Sequence, residues 1–158
     1  MRVKTIIDED FTNYKETSMF IGTISCGGKC CKEANIPLSV CQNDSWRKAN
    51  IIDIPDEKIV ERYLNNSLTS AIVIGGLEPF EQFDELWDFI HLFRSKSTDT
   101  IVIYTGYNED EISNEIKILS NYVNIIVKFG RYIPNSKSIR DEILGVTLAS
   151  ENQYARVL

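Results

Sequence analysis

Four cysteines lie within sixteen consecutive residues of this sequence, and thiols at such spacing can hold a metal ion or an iron–sulfur cluster. Cys26, Cys30, Cys31 and Cys41 are the only cysteines among the 158 residues. In a reducing compartment, clustered thiols are typical of metal binding or redox chemistry and not of disulfides. Because the side chains of adjacent residues diverge, we expect Cys26, Cys30 and Cys41 to be the ligands and Cys31 to be a bystander. Three thiolates would hold an iron–sulfur cluster and leave one iron open to a substrate or cofactor.

Two other interpretations of the cysteines stay open at this point. A structural zinc ion needs four protein ligands, and no histidine lies near the cysteines to complete the set. The only histidine, His91, falls on the polar stripe of a predicted helix, which indicates a solvated side chain. The thiols could also be buried side chains without a metal. Of the three, the spacing favours the cluster.

The elements that must position these residues are short apolar strands separated by helices. Apolar, β-branched runs occur at residues 19–24, 71–74, 101–104 and 125–127, with weaker ones at 3–7 and 146–149. The central runs are continuously apolar, which is typical of parallel strands buried on both faces. Amphipathic patterns predict helices over residues 55–66, 80–96 and 108–122. The alternation predicts an α/β fold, an open or partial (βα) barrel of mostly parallel strands, in a single domain over residues 1–158.

Glycines and polar side chains directly follow the predicted strands. Gly75 and Gly76 come after one strand, Glu78 follows them, and Tyr104 and Thr105 come at the end of the next. Because the carboxyl ends of parallel strands meet at one edge of a sheet, we expect these residues to join the cysteines in one site. The glycine backbone could approach a charged amino-acid group closely, with the glutamate as the anion for its ammonium. The tyrosine and threonine suit a ribose or an adenine ring. A tight turn and a core tyrosine are the alternatives.

Two basic residues follow the last predicted strand of the central set. Lys128 and Arg131 could neutralise a carboxylate or a phosphate at the same rim. For Lys128 we favour a solvated position.

Charge and hydropathy exclude two classes of partner. The formal net charge of −6 argues against a nucleic-acid surface, because such surfaces rest on Lys and Arg. No segment approaches the roughly 20 apolar residues of a membrane helix, and the N-terminal residues lack the pattern of a secretory signal. We therefore expect a cytoplasmic protein with neither a nucleic-acid nor a membrane partner.

Taken together, six short segments in order resemble the radical S-adenosylmethionine enzymes. Within that family, the chain is most similar to the small activating proteins of anaerobic (class III) ribonucleotide reductase, from about residue 19 to residue 157. The segments are C-G-G-K-C at 26–30, C-Q-N at 41–43, G-G-L-E-P at 75–79, I-Y-T-G-Y at 103–107, F-G-R-Y-I at 129–133 and A-S-E-N-Q at 149–153. The connection between the second and third cysteines is eight residues longer than in the family, where the motif is CxxxCxxC.

This resemblance implies a cofactor pair, an activity and a set of partners. Cys26, Cys30 and Cys41 would ligate a [4Fe–4S] cluster, and S-adenosylmethionine would bind its open iron. Gly75, Gly76, Glu78, Tyr104 and Thr105 would hold the rest of that cofactor. The expected reaction is reductive cleavage of S-adenosylmethionine, with a glycyl radical generated on a partner such as the large subunit of anaerobic ribonucleotide reductase. A flavodoxin or ferredoxin would donate the electron. The alternatives are a radical enzyme with a small-molecule substrate and a non-catalytic module that binds an iron–sulfur cluster or zinc.

Overall fold

The computed structural model describes residues 1–158 as a mixed α/β fold with a mostly parallel central sheet. Three single-turn 3₁₀ segments occur at Leu38–Val40, Pro79–Gln82 and Glu109–Ile112. The strands are β1 (Arg2–Val3), β2 (Thr5–Asp10), β3 (Ser18–Gly22), β4 (Ile52–Asp53), β5 (Ala71–Gly75), β6 (Thr100–Tyr104), β7 (Ile125–Phe129), β8 (Ile139–Asp141), β9 (Val146–Leu148) and β10 (Tyr154–Val157). The helices are α1 (Lys29–Glu33), α2 (Asp44–Lys48), α3 (Asp56–Leu64), α4 (Phe83–Arg94) and α5 (Ser113–Leu119).

The central sheet has six strands in the order β10-β7-β6-β5-β3-β2. Strands β3, β5, β6 and β7 run parallel, and β2 and β10 close the two edges in antiparallel pairing. Each of the four parallel strands was predicted from its apolar run, and three of them are buried at every position. The predicted mixture of strands and helices is therefore confirmed. Closure of the sheet into a partial barrel stays a prediction.

The two faces of the sheet are covered by different elements. On one face, α3, α4 and α5 pack on a core of 21 buried residues that includes Ile21, Ile74, Ile103 and Val127. On the other face, a smaller core of nine buried residues includes Phe20, Val73 and Val102. Tyr14 and the hairpin residues Leu144 and Leu148 cover this second face. Because both faces are covered, the central strands carry continuous apolar sequence.

Helix α4 illustrates how the predicted helices form. Its apolar residues recur on one face and bury Leu86, Phe89, Ile90 and Phe93, while His91 is exposed, as predicted. The predicted helices over 80–96 and 108–122 each begin with a 3₁₀ turn and then continue as α4 and α5. None of the five helices has the length and apolar character that crossing a membrane would require.

The prediction of a solvated Lys128 is wrong. Lys128 is only 7% exposed, although its side chain carries an ammonium. Lys128 lies in β7 opposite Tyr104 of β6 and Ala155 of β10, so its side chain enters the covered second face of the sheet. Position in a central strand with both faces packed decides its burial here, against the usual preference of lysine for solvent.

Candidate iron–sulfur site

The loops that follow the four parallel strands are joined to one another at the carboxyl edge of the sheet. Thr23 donates from its backbone N–H and its hydroxyl to the carbonyl of Gly75, at 2.9 and 3.0 Å. The N–H of Glu78 donates to the carbonyl of Ser25 at 2.7 Å. The N–H of Thr105 donates to the carbonyl of Lys128 at 2.9 Å. The predicted convergence of these strand ends at one edge is confirmed.

Helix α1 places two cysteines at this edge. The Sγ of Cys30 lies 2.9 Å from the point that a Cβ on Gly106 would occupy, so glycine is required there for the thiol to approach. Cys31, the next residue, is buried. Burial and the neighbouring thiols of Cys41 and Cys30 raise the pKa of Cys31. Cys31 therefore lies near the thiols of Cys41 and Cys30, and its role as a bystander stays a prediction.

Cys26 precedes the helix and sits among charged neighbours. Its Sγ accepts a hydrogen bond from the N–H of Gly28 at 3.4 Å. Burial, followed by the nearby Glu81 and Glu78 carboxylates, raises the pKa of this thiol. The guanidinium of Arg47 donates to the Cys26 carbonyl at 2.5 Å and so connects the start of the cysteine segment to α2.

The donor set fits an iron–sulfur cluster by its chemistry. All four thiols are free and belong to one segment of the carboxyl edge. Thiolates are the usual ligands of such clusters. No three Cys, His, Asp or Glu side chains are already arranged around a common metal position. Which three of the four cysteines act as ligands stays a prediction.

Glu78 is a buried acid at this edge with a strongly shifted pKa. Its carboxylate is buried and accepts hydrogen bonds from the Thr105 hydroxyl at 2.7 Å, the Gly106 N–H at 2.9 Å and the Phe80 N–H at 3.3 Å. Burial raises the pKa of Glu78 to about 7, although the three hydrogen bonds oppose the rise. The structure thus brings together Glu78 and Thr105, two of the predicted cofactor-binding residues.

The other predicted cofactor residues lie close to this pair but have additional contacts. Gly76 adopts a left-handed φ of +81°, and a Cβ there would lie 2.1 Å from the indole of Trp46. Its carbonyl accepts from the Asn43 side chain at 2.5 Å. Gly75 packs on the Cβ of Tyr104. The Tyr104 hydroxyl donates to the carbonyl of Asn13 at 2.5 Å, so this hydroxyl is directed away from Glu78.

Ion pairs connect α1 to the loop after β7. Arg131 is buried and contacts Glu33 at 2.8 Å and Glu111 at 2.5 Å. Lys29 pairs with the same Glu111 carboxylate. These contacts, led by the hydrogen bond from Arg131, hold the pKa of Glu111 down to about 2. Two residues of the cysteine helix, Lys29 and Glu33, therefore bind the segments that follow β6 and β7.

A cavity of about 310 Å³ opens between α1 and the loop after β7. It is lined by Cys30, Glu33, Ala34, Asn108, Arg131, Tyr132, Ile133, Pro134 and Asn152. Asn152 also donates to the Arg131 carbonyl at 3.0 Å, and Gln153 donates to the Gly130 carbonyl at 3.1 Å. The C-terminal segment noted in the sequence thus supports one wall of the cavity, and Cys30 belongs to the other.

Comparison with known families decides the nature of the site. A family model described as a 4Fe-4S single cluster domain matches residues 26–154, beginning at the first cysteine. The chain belongs to this 4Fe-4S single cluster family. The expected [4Fe–4S] cluster is confirmed at the level of the family, which occurs in radical S-adenosylmethionine-related proteins. No curated protein and no solved structure matches the chain.

Sequence reasoning missed the contribution of the segment after Cys41. Asn43 and Trp46 contact Gly76, and Arg47 holds the carbonyl of Cys26. Trp46 also packs on Phe20, with ring centroids 5.2 Å apart. An aromatic and an arginine in a short polar stretch next to a cysteine were the available signals, but their partners lie 21 to 33 residues away along the chain.

Proposed function

We propose that this member of the 4Fe-4S single cluster family is a radical S-adenosylmethionine activase. It would cleave S-adenosylmethionine reductively at its [4Fe–4S] cluster and generate a glycyl radical on a partner enzyme such as anaerobic ribonucleotide reductase. The supporting observation is the joining of the cysteine segment to the Gly-Gly-Leu-Glu turn at one edge, where the Glu78 N–H bonds the Ser25 carbonyl. We further propose that the sheet forms the partial barrel of that enzyme class.

The cluster, when bound, supplies the electron that breaks the sulfonium carbon–sulfur bond of S-adenosylmethionine. The protein's own residues would bind, orient and shield. Cys26, Cys30 and Cys41 would hold the cluster, and the reducing conditions of the cytoplasm would keep their thiols free.

The turn after β5 would position the amino-acid end of S-adenosylmethionine. Glu78 is buried and accepts hydrogen bonds from Thr105 and Gly106, which fix its carboxylate at the carboxyl edge of the sheet. An ammonium at this position would gain a charged acceptor in an environment of low dielectric constant. Gly75 and Gly76 have no Cβ, so their backbone can be approached closely. Tyr104 lies beside Gly75 and would contribute its ring.

The exposed apolar residues near the cysteines support a protein partner. Leu38 and Val40 lie in the connection before Cys41, and Tyr132 and Ile133 line the cavity beside Cys30. All four are at least 39% exposed. A large partner that covers this edge would exclude water from the site. A flavodoxin or ferredoxin would supply the electron before the partner docks.

Anaerobic reconstitution tests the proposal. The chain is loaded with iron and sulfide, reduced, and its EPR spectrum is recorded with and without S-adenosylmethionine. A cluster signal that shifts on addition supports an open iron, and a glycyl radical signal after incubation with a glycyl radical protein supports the activase. Cys26→Ala, treated identically, is the control without a complete ligand set. A cluster signal that does not respond to S-adenosylmethionine contradicts the proposal.

A non-catalytic iron–sulfur module is the second candidate, favoured by one observation. Cys31 is buried near the thiols of Cys41 and Cys30, so a fourth thiol is available in the cysteine segment. Four thiolate ligands would leave no open iron. In that case the EPR signal of the cluster would not change on addition of S-adenosylmethionine, and Cys31→Ala would not assemble the cluster.

A further inference from the structure

Lys128 is a buried ammonium near the carboxyl end of β7 in the central sheet. The residue is 7% exposed, and β7 is flanked on both sides by paired strands. Removing a lysine charge from water costs several kcal/mol unless a partner compensates it. A buried lysine therefore calls for a specific anionic partner.

The hydrogen bonds of Lys128 do not supply that partner. Its Nζ donates to one acceptor, the carbonyl of Gly130 at 2.9 Å, and no carboxylate lies within ion-pair distance. An ammonium has three donors, so two of them have no protein acceptor. Three other cations near this edge are paired with a carboxylate. These pairs are Lys29 with Glu111, Arg131 with Glu33 and Glu111, and Arg47 with Asp44.

The groups that influence the pKa of Lys128 show which part of the site its charge is close to. Burial lowers the pKa of Lys128 to about 8, and Cys30 and Glu78 oppose this change. Cys30 and Glu78 also meet at Gly106, where a Cβ would lie 2.9 Å from the Cys30 Sγ and 3.6 Å from the Glu78 Oε2. The backbone N–H of Thr105, next to Gly106, bonds the carbonyl of Lys128 itself. Lys128 thus lies at the strand end next to the loop that Cys30 and Glu78 contact.

We propose that Lys128 is the charge-balancing cation of the [4Fe–4S] cluster and raises its reduction potential. The proposal rests on the iron–sulfur assignment and on Cys30 as a ligand, and it does not require the activase. Reduction adds one negative charge to a thiolate-ligated cluster. A fixed cation nearby therefore stabilises the reduced form more than the oxidised form, and the effect is stronger than in water because Lys128 is buried.

The reduction potential of the reconstituted cluster tests this role. Lys128→Met removes the charge and keeps the length of the side chain, and Lys137→Met removes the same charge from an exposed position as the matched control. Each variant is loaded with iron and sulfide, and the midpoint potential is measured by redox titration followed by EPR. We expect a more negative midpoint potential for Lys128→Met and an unchanged one for Lys137→Met.

A Lys128→Met cluster with the wild-type iron and sulfide content and the wild-type midpoint potential overturns the proposal. If this variant does not fold, Lys128→Arg keeps the charge and Lys128→Gln keeps only a polar group. A more negative potential in the Gln variant than in the Arg variant supports the role of charge, and equal potentials overturn it. A wild-type chain that assembles no cluster overturns the iron–sulfur assignment as well, whereas an unresponsive S-adenosylmethionine spectrum overturns the activase alone.

Discussion

Glu78 makes the stability of this protein depend on pH in a direction that can be worked out from its surroundings. Burial raises the pKa of its carboxyl from the ordinary 4.5 to about 7 in the folded chain. The folded state therefore favours the protonated form. The stability contributed by this group is fully present below pH 4.5 and is lost as the pH rises through about 7. The full difference corresponds to about 3 kcal/mol at pH 8, and to less than about 1 kcal/mol at pH 5.

Glu78→Gln removes this dependence because the amide cannot ionise. We expect the free energy of unfolding of the variant, relative to wild type, to rise by about 2 kcal/mol between pH 5 and pH 8. Urea unfolding followed by circular dichroism measures this at both pH values. Any constant loss caused by the three hydrogen-bond donors around the amide cancels in the comparison. Glu142→Gln, at an exposed position without a hydrogen bond, is the control and should show no such rise. A Glu78→Gln difference that is the same at both pH values would refute the reasoning.

Three further predictions concern the cysteines, a glycine and an ion pair. Cys30→Ala should abolish the cluster and Cys31→Ala should keep it, as measured by iron and sulfide per chain; the reverse would move the ligand assignment by one residue. Gly76→Ala should lower the free energy of unfolding by about 2 kcal/mol or more, because of its positive φ and the indole packed on it. Gly27→Ala, with no positive φ, is its control in urea unfolding, and equal losses would contradict the argument. Because its basic partners depress the pKa of Glu111, Glu111→Gln should lower stability at pH 7, and the two proteins should converge as the pH falls from about 4.5 towards 2. Parallel stability curves over this range would exclude that ion-pair effect.

The central strands and the shared edge could be predicted from local sequence. Continuous apolar runs specify strands buried on both faces, and the rule that parallel strands end at one edge places Glu78 near Thr105. Both inferences use short segments and general geometry. They do not depend on knowing which distant residues touch.

The failures came where distant contacts decide the environment of a side chain. Lys128 looked solvated because a lysine in isolation prefers water, and only the flanking strands reveal its burial. Trp46 fills the space above Gly76, a contact between segments 30 residues apart. The partners of Tyr104 are equally remote, since its hydroxyl reaches Asn13. Local pattern carries no information on such pairs.

Residues 34–42, which include most of the long connection between Cys30 and Cys41, lie between two anchors. Before them, Glu33 is held by Arg131, and after them, Asn43 is held by the Gly76 carbonyl. Residues 35 and 37–40 between these anchors are exposed. The number of residues in such a bridge can change at little free-energy cost, because loop closure depends only weakly on length. The spacing between the second and third cysteines can therefore vary in length. The contacts of Glu33 and Asn43 with the loops at the carboxyl edge of the sheet would still keep the two ends of the stretch in place.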